Sequence, residues 1–301
     1  MEYEVFKEAV LENLEEICDS DVRIKTEKVL KNNGKHYDVV RLVMDGEDEN
    51  VCPAIPLQWF YSAYCDGEIS IAGCVKVIYE TSEEEREKDG ISGILRKIKN
   101  WGEAKESVYP ILLSTADNQE MLEGIVSVPM LDLSVAYIFR GKIDKRWAGV
   151  KISYRMLEAY GISPEELHKQ ALKNLADDGY FFWDIHDFAA SVGYYVPDQS
   201  DRKEMGDVLE AYILTNAMNY YGAAGILDRK RVREFAAGRN FIILPTSINE
   251  TIFVLAEEGS DIEIYNCMVK TVNRTDLDIE DWLSDHAYFY DGTADEIRMC
   301  A

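Results

Sequence analysis

Long apolar runs are scarce in this 301-residue chain. Its longest stretch without Asp, Glu, Lys or Arg is 17 residues, 211–227, which contains Thr215, Asn216 and Asn219. A membrane-spanning helix needs about 20 predominantly apolar residues, so we expect no membrane span. The N-terminus is acidic where a secretion signal requires basic residues followed by an apolar run. A cytoplasmic location is therefore predicted.

Histidine is also rare, and the cysteines do not follow the spacing of a known metal-binding or redox motif. The chain has four histidines and six cysteines, with no CxxC pair, no zinc-finger spacing and no HExxH. Cysteines of this kind in a cytosolic protein are typically reduced and mostly buried. GxGxxG and GxxxxGK[ST] are absent as well, so neither phosphate-binding loop is present. We predict no cofactor.

Basic residues are outnumbered: 32 Lys and Arg face 56 Asp and Glu, a net charge of −24. The negative electrostatic field of such a charge repels nucleic acid and anionic lipid, so binding to either is not expected. Mimicry of nucleic acid, with the carboxylates binding a basic protein, is one alternative. Mimicry would need rows of acids, whereas here they are spread through every predicted helix.

The first 105 residues predict a subdomain of one helix, three strands and covering helices. Apolar residues recur at helical spacing in residues 3–17. β-like runs follow at 22–30, 37–44 and 51–57, the first two joined by Asn33-Gly34, a strong hairpin signal. Pro53 and Pro56 limit the third run to an edge strand or an extended lead-in. Helices are predicted at 58–65, at 69–80 and along an apolar stripe at 91–101.

Residues 106–301 predict a second, α+β domain. Strands are expected at 108–115, 125–128, 131–139, 149–153, 209–216, 222–227, 240–245, 251–257 and 287–290, and the 209–216 segment fits helical spacing almost as well. Helices are expected after Ser163 and Ser260, each opening a capping box, and at 229–238. The order from 222 to 290 is that of a split-βαβ motif. We therefore predict an α+β fold with a mixed sheet covered on one face by helices.

Two places could carry chemistry. In an extended segment Asp184 and His186 would share one face and could ligate a metal, although Asp187 and His186 could equally solvate a turn. Ser114 or Ser247 could complete a triad with Asp285-His286, which only geometry can test. Alternatively, Ser247 is a turn residue whose hydroxyl accepts hydrogen bonds from backbone amides.

Polar residues also end two apolar strands. They could line one binding surface if the strands are neighbours, or each could satisfy its own turn. These residues are Thr215, Asn216, Thr246, Ser247, Asn249 and Glu250. The one dense basic cluster, 229–233, is interpreted as a solvated helix face, with an anion contact as the alternative.

The order of several motifs resembles an uncharacterised bacterial family, domain of unknown function 5688, common in anaerobic gut bacteria. The resemblance covers roughly residues 1–80 and 106–290, and the second half is more faintly similar to domain of unknown function 1444. Neither family implies an activity. The motifs are Pro53-Ala54-Ile55-Pro56-Leu57 with Phe60, Tyr61 and Tyr64; Asn118-Gln119-Glu120-Met121-Leu122; Leu131-Asp132-Leu133-Ser134-Val135-Ala136; Gly161 to Leu167; Leu214-Thr215-Asn216 with Gly222-Ala223-Ala224; and Leu244-Pro245-Thr246-Ser247-Ile248-Asn249-Glu250.

This chain departs from that family at two positions. Members often carry His where this chain has Met130 and Asn249. If those histidines are catalytic or metal-binding in relatives, the resemblance implies that this chain lacks their chemistry. If they only cap turns, Asn249 is a fair substitute.

Together these features favour an acidic, non-enzymatic cytoplasmic protein that binds another protein or a small molecule, with its oligomeric state left open. The alternative is a hydrolase or other enzyme that uses Asp184 and His186, or Ser247. The helix, three strands and helix at the N-terminus are similar to small chaperone-like binding folds, at the level of fold analogy only.

Overall fold

A computed structural model describes residues 1–47, 49, 52–87, 94, 96–143, 146–191, 193–198, 210–257, 259–275 and 277–300. Two compact units divide the chain. The first comprises residues 1–31, 35–104 and 141–148, and the second comprises 32–34, 105–140 and 149–301. The sequence predicts a single domain boundary, after residue 105.

The first unit packs helices on a three-stranded antiparallel sheet. Helix α1 (Tyr3–Ile17) precedes strands β1 (Val22–Leu30), β2 (His36–Met44) and β3 (Ile55–Pro56), followed by α2 (Leu57–Cys65), α3 (Ile71–Glu87) and the short α4 (Trp101–Ala104). The α1 stripe Phe6, Val10 and Leu14 is buried against Val40 and Leu42 of β2. The predicted helix, the hairpin and the short edge strand are thus present. The stripe at 91–101 lies largely outside the described residues.

The second unit contains most of two antiparallel sheets. Its elements are β4 (Val108–Ser114), α5 (Gln119–Gly124), β5 (Ser127–Met130), β6 (Leu133–Ile143), β7 (Arg146–Lys151), α6 (Tyr154–Tyr160), α7 (Pro164–Ala176), β8 (Tyr180–Asp184), α8 (Ile185–Ser191), β9 (Ala211–Asn216), α9 (Arg229–Ala236), β10 (Phe241–Leu244), β11 (Thr251–Leu255), α10 (Ile262–Thr275), β12 (Tyr288–Asp291) and β13 (Glu296–Met299). β6 lies between β4 and β5 and also pairs with β7. The other sheet has the order β13-β12-β10-β11-β9-β8.

The α+β class is confirmed, but the mixed sheet and the split-βαβ order are wrong. All pairings around β10, β11, β9 and β12 are antiparallel. Residues Gly222–Leu227, predicted as a strand, form a 3-10 helix. Their small side chains suit close packing in either conformation, so apolar character alone could not separate the two.

The six-stranded sheet is covered on both faces, not on one. On one face α10 places Val269 against Ile242 and Val254. On the other face, Phe235 of α9 stacks on Phe182 with ring centroids 3.6 Å apart. Burial from both sides explains why every residue of β10 is apolar and buried.

One predicted helix start is confirmed and the other is shifted. The Ser163 hydroxyl accepts from the Glu166 amide at the start of α7. At α10, the Ser260 hydroxyl instead bonds to the backbone of Glu257, and Asp261 accepts from the Glu263 amide. Asp and Ser cap helices equally well, so the sequence could not choose between two adjacent candidates.

Candidate functional site

Polar residues at the end of β9 and in the β10–β11 loop lie together because β9 and β11 are paired neighbours, which is the condition on which the shared surface hypothesised from the sequence depends. The Thr215 hydroxyl donates to the Asn249 carbonyl over 2.9 Å. The Asn249 side chain accepts from the Tyr221 amide at 3.1 Å. A Cβ on Gly222 would lie 2.2 Å from the Asn249 carbonyl oxygen, so only glycine allows this approach.

The side chains of Thr215, Asn216, Thr246 and Ser247 are buried, and those of Asn249 and Glu250 are partly exposed. Asn216 is 2% exposed, and Thr246 and Ser247 are similarly enclosed. Asn216 donates to the Tyr220 carbonyl and accepts from the amides of Met218 and Tyr220. Such bonds hold a turn closed. Their role in binding a partner stays a prediction.

A second segment, 278–284, bonds to the same loop. The Ile248 amide donates to the Asp281 carbonyl at 2.9 Å, and the Leu283 amide donates to the Thr246 carbonyl at 3.3 Å. Ser247 and Trp282 form a β-bridge. The β10–β11 loop is therefore held by β9 and its turn and by the 278–284 segment.

An amide pair completes this region. The Asn118 side chain accepts from the Asn33 amide at 2.8 Å and donates to the Asn33 side-chain oxygen at 2.6 Å. The Asn33 side chain donates to the carbonyls of Ile279 and Trp282. Asn33 has a φ of +56°, which Asn tolerates. We call residues 32–34, 118, 215–222, 245–250 and 278–284 the polar junction.

The pairing of Asn33 with Asn118 was missed by sequence reasoning. The Asn33-Gly34 dipeptide predicts a hairpin turn, but nothing in it identifies a partner 85 positions away. Asn118 stands out only as the first residue of a family-like motif. A long-range amide pair leaves no periodic signal in the sequence.

The carboxyl groups of Glu250 and Asp281 in the polar junction both have pKa values above their ordinary values. Burial raises the pKa of Glu250, and the Asp281 charge raises it further, while a hydrogen bond from Ser247 opposes the rise. Burial, followed by repulsion from Asp278 and Glu280, raises the pKa of Asp281. The partners of the Ser247 hydroxyl are Glu250 and the Asn249 amide, which is not a nucleophile–histidine pair.

A half-exposed cluster surrounds Asp132. Its carboxylate accepts from the Ser284 hydroxyl at 2.7 Å, from His286 Nδ1 at 3.1 Å and from the Tyr288 hydroxyl at 2.5 Å. Burial and the Asp132 charge raise the pKa of Tyr288. The contact between Asp132 and Nδ1 orients the His286 imidazole. Ser284 bonds to the carboxylate, unlike the nucleophile of a triad.

The Asp184-His186 pair does not form the extended arrangement predicted for a metal site. The strand ends at Asp184 and a helix begins at Ile185. Asp184 accepts from the amides of His186 and Asp187 and thus caps α8. In the part of the chain that the structure describes, no group of three or more His, Cys, Asp or Glu residues could hold a metal.

The other serine and the basic cluster also have local partners. The Ser114 hydroxyl donates to Asp117 at 2.6 Å. Arg229 and Arg233 pair with Asp295, and Arg231 pairs with Asp228. This favours a structural role for the cluster; the absence of nucleic-acid binding stays a prediction.

Helix α10 carries an exposed apolar face that the sequence analysis did not single out. Ile264 is 55% exposed and Met268 49% exposed, and both line a shallow groove with Cys267 and Thr271. We call these four residues the outer face of α10. The spacing i, i+3, i+4, i+7 places them on one side of the helix, opposite the buried Val269. That second stripe was visible in the sequence as apolar residues between the predicted buried positions.

No described helix is long and apolar enough to cross a bilayer. No curated protein and no solved structure matches the chain. One family model, the Family of unknown function (DUF5688), matches residues 3–292. The chain belongs to this family.

Proposed function

We propose that this member of the DUF5688 family is a non-enzymatic protein-interaction protein that docks a polypeptide on the outer face of α10. The observation that carries the proposal is the exposure of Ile264 and Met268 on a helix whose opposite side is already buried in a core. The proposal includes a cytoplasmic location and no affinity for nucleic acid, given the net charge of −24.

Exposed apolar side chains are common singly but informative when contiguous. The matched case is α7, of nearly equal length, which buries Leu167 and Leu175 on one side. Its exposed side carries Glu165, Lys169 and Lys173. A helix that only covers a core is polar outside, so the apolar outer face of α10 supports a second packing role.

The polar junction supports the proposal by elimination. The side chains of Asn33, Thr215 and Asn216 bond to carbonyls and amides of its own turns, whereas Asn32 Oδ1 is buried with no hydrogen-bond partner among the described residues. Buried groups satisfied in this way rigidify a fold. They offer a ligand few groups that are not already in use.

The test captures partners from a lysate of the native host with the tagged full-length chain and identifies them by mass spectrometry. We expect Ile264→Lys with Met268→Lys to abolish capture, and Lys169→Glu on α7 to leave it intact. Asn216→Ala should lower the melting temperature and retain capture. Equal capture by the α10 variant and the unmodified chain would contradict the proposal.

A second candidate function is acid–base catalysis, favoured by the contact between Asp132 and His286 Nδ1. The half-exposed imidazole has the orientation of a general base. The test compares hydrolysis of activated esters by the unmodified chain and by His286→Gln. A rate that falls at least tenfold in a variant of unchanged stability would support catalysis, and equal rates would remove it.

A further inference from the structure

We propose that the outer face of α10 docks on the same face of a second copy of this chain, with the two helices antiparallel and the twofold axis near Cys267 and Met268. The inference rests on the proposed function of this face and names its partner. A twofold interface uses the same patch on both subunits, so the patch must be complementary to itself when reversed. The apolar seam and the charge order of α10 both meet this condition.

The outer face of α10, which forms the apolar seam of the proposed dimer, can be desolvated at a small free-energy cost. Thr271 donates its hydroxyl to the Cys267 carbonyl at 2.8 Å, and Thr275 donates to the Thr271 carbonyl at 3.0 Å. Both hydroxyls are therefore satisfied inside the helix and need no partner across an interface. Ile264 and Met268 supply the apolar area on either side of Cys267.

Charge selects the antiparallel direction. Asp261 and Glu263 lie at the N-terminal end of α10, and Lys270 and Arg274 lie at its C-terminal end. Antiparallel helices bring acids of one copy beside bases of the other, whereas parallel helices bring like charges together. In the described part of the chain, no ion pair engages Lys270 or Arg274. The helix dipoles also oppose favourably in the antiparallel pair.

Glu263 and Arg274 are placed to pair between copies. They are 274 − 263 = 11 residues apart, close to three helical turns of about 3.6 residues each, so they lie on the same flank of the helix. In an antiparallel pair, the same flank of each helix faces its counterpart. Glu263 of one copy therefore faces Arg274 of the other at both ends of the seam.

The expected dimer is weak. Helix α10 has 14 residues, about 21 Å of helix, and a single seam of that length falls at the small end of specific interfaces, below about 1,200 Å². The net charge of −24 on each copy adds long-range repulsion. Association should therefore depend on protein concentration, with a dissociation constant on the order of micromolar or weaker.

The first experiment joins two copies at the axis. Cys267 and Cys65 are exposed, so the full chain carries Cys65→Ser, and a short bismaleimide is the probe. We expect a covalent dimer whose yield rises with protein concentration and which is lost in Cys267→Ser. A monomer at every concentration, in both cross-linking and sedimentation velocity, would overturn the inference.

The second experiment exchanges charges across the seam. We expect Arg274→Glu to weaken dimerisation at least tenfold and the double variant Glu263→Arg, Arg274→Glu to restore it. Lys173→Glu is the matched control, because Lys173 is the basic residue in the last turn of α7 as Arg274 is in α10. It makes the same change in net charge and should leave dimerisation unchanged. Dimerisation that survives Arg274→Glu, or is not restored in the double variant, would overturn the antiparallel arrangement.

The two proposals fail differently. If the chain is monomeric while the α10 substitutions still abolish capture of a different protein, self-pairing is wrong and the interaction role stands. If those substitutions alter neither self-association nor capture, both are wrong. Capture of the untagged native chain alone supports both.

Discussion

The polar junction and the outer face of α10 both depart from the usual arrangement of apolar side chains inside and polar ones outside, in opposite directions. The junction buries Asn33, Asn118 and Asn216, and α10 exposes Ile264 and Met268. The amides of Asn33, Asn118 and Asn216 are satisfied within the same unit and so are already engaged, although the Asn32 side-chain oxygen is buried without a hydrogen-bond partner among the described residues. The α10 side chains lie at the surface of the described chain. Unusual burial is therefore informative only together with the hydrogen-bond and packing partners of each group.

The Asp132 cluster is intermediate between these regions. Like the junction it is held by hydrogen bonds, but these join side chains, and the His286 ring is about half exposed. Side chain-to-side chain bonds around an exposed imidazole permit proton transfer to solvent. Bonds from side chains to turns mainly fix the backbone.

The largest effect is expected from opening the junction. Asn118→Ala removes two bonds to Asn33 and one to the Ser114 carbonyl. Each buried group left without a partner costs about 1–3 kcal/mol, so we expect a loss on the order of 3 kcal/mol in the free energy of unfolding. Urea denaturation measures it. Asn33→Ala should be non-additive with Asn118→Ala in a double-mutant cycle, and additivity would refute their coupling.

The next effect sharpens the contrast between the faces of α10. Met268→Ser should change the free energy of unfolding by less than about 0.5 kcal/mol, the usual range for surface sites. The same variant should weaken self-association several-fold. Val269→Ala on the buried face should do the reverse, lowering stability by about 1 kcal/mol or more and leaving association intact. Sedimentation velocity and thermal unfolding separate these outcomes; a destabilised Met268→Ser would show that the outer face is packed within the chain.

A smaller effect tests the junction through pH. The pKa of Glu250 is higher in the folded than in the unfolded chain, so its favourable contribution is complete below the unfolded pKa of about 4.3 and is lost as the pH rises through the folded pKa. Glu250→Gln should therefore raise stability at pH 7. This gain in stability should vanish at about pH 3.5, below the pKa of Glu250 in the unfolded chain. Urea titrations at both pH values measure it, and an equal gain at both would contradict the cause.

The smallest effect concerns the start of α10. Asp261→Ala should lower stability by about 1 kcal/mol, because Asp261 accepts from the Glu263 amide. Ser260→Ala should cost less, since its hydroxyl bonds within the preceding turn. Thermal unfolding of the two variants ranks their stability losses. A larger loss in Ser260→Ala would show that Ser260, not Asp261, caps α10.

Local signals predicted much of the fold. The stripe of α1, the Asn33-Gly34 hairpin and the Ser163 cap agree with the structure, and the strand predicted at 209–216 is observed at Ala211–Asn216. Each depends on neighbours within a few residues. Strands β8 and β13 were missed, because β8 is a short aromatic run and β13 alternates too briefly to be distinguished.

For the candidate site, the sequence identified residues but not their exposure. It linked Thr215 and Asn249 only on the condition that their strands are neighbours, and β9 and β11 do pair. It could not show that Thr215 is buried and Asn249 partly exposed, because exposure depends on which distant segments pack on the strand ends. It also missed the contact between Asp132 and His286, 154 positions apart.

Composition and short-range spacing encode the charge, the absence of phosphate-binding motifs, the α+β class and the amphipathic periods of the helices, so these properties follow from the amino-acid order alone. Only the tertiary structure decided that the six-stranded sheet is antiparallel and covered on both faces, that the amides of Asn33, Asn118 and Asn216 are already engaged and that α10 keeps an apolar side outward. Those outcomes depend on which distant segments meet. A helix with two apolar stripes buries whichever one faces the core, and only packing reveals the stripe that remains exposed.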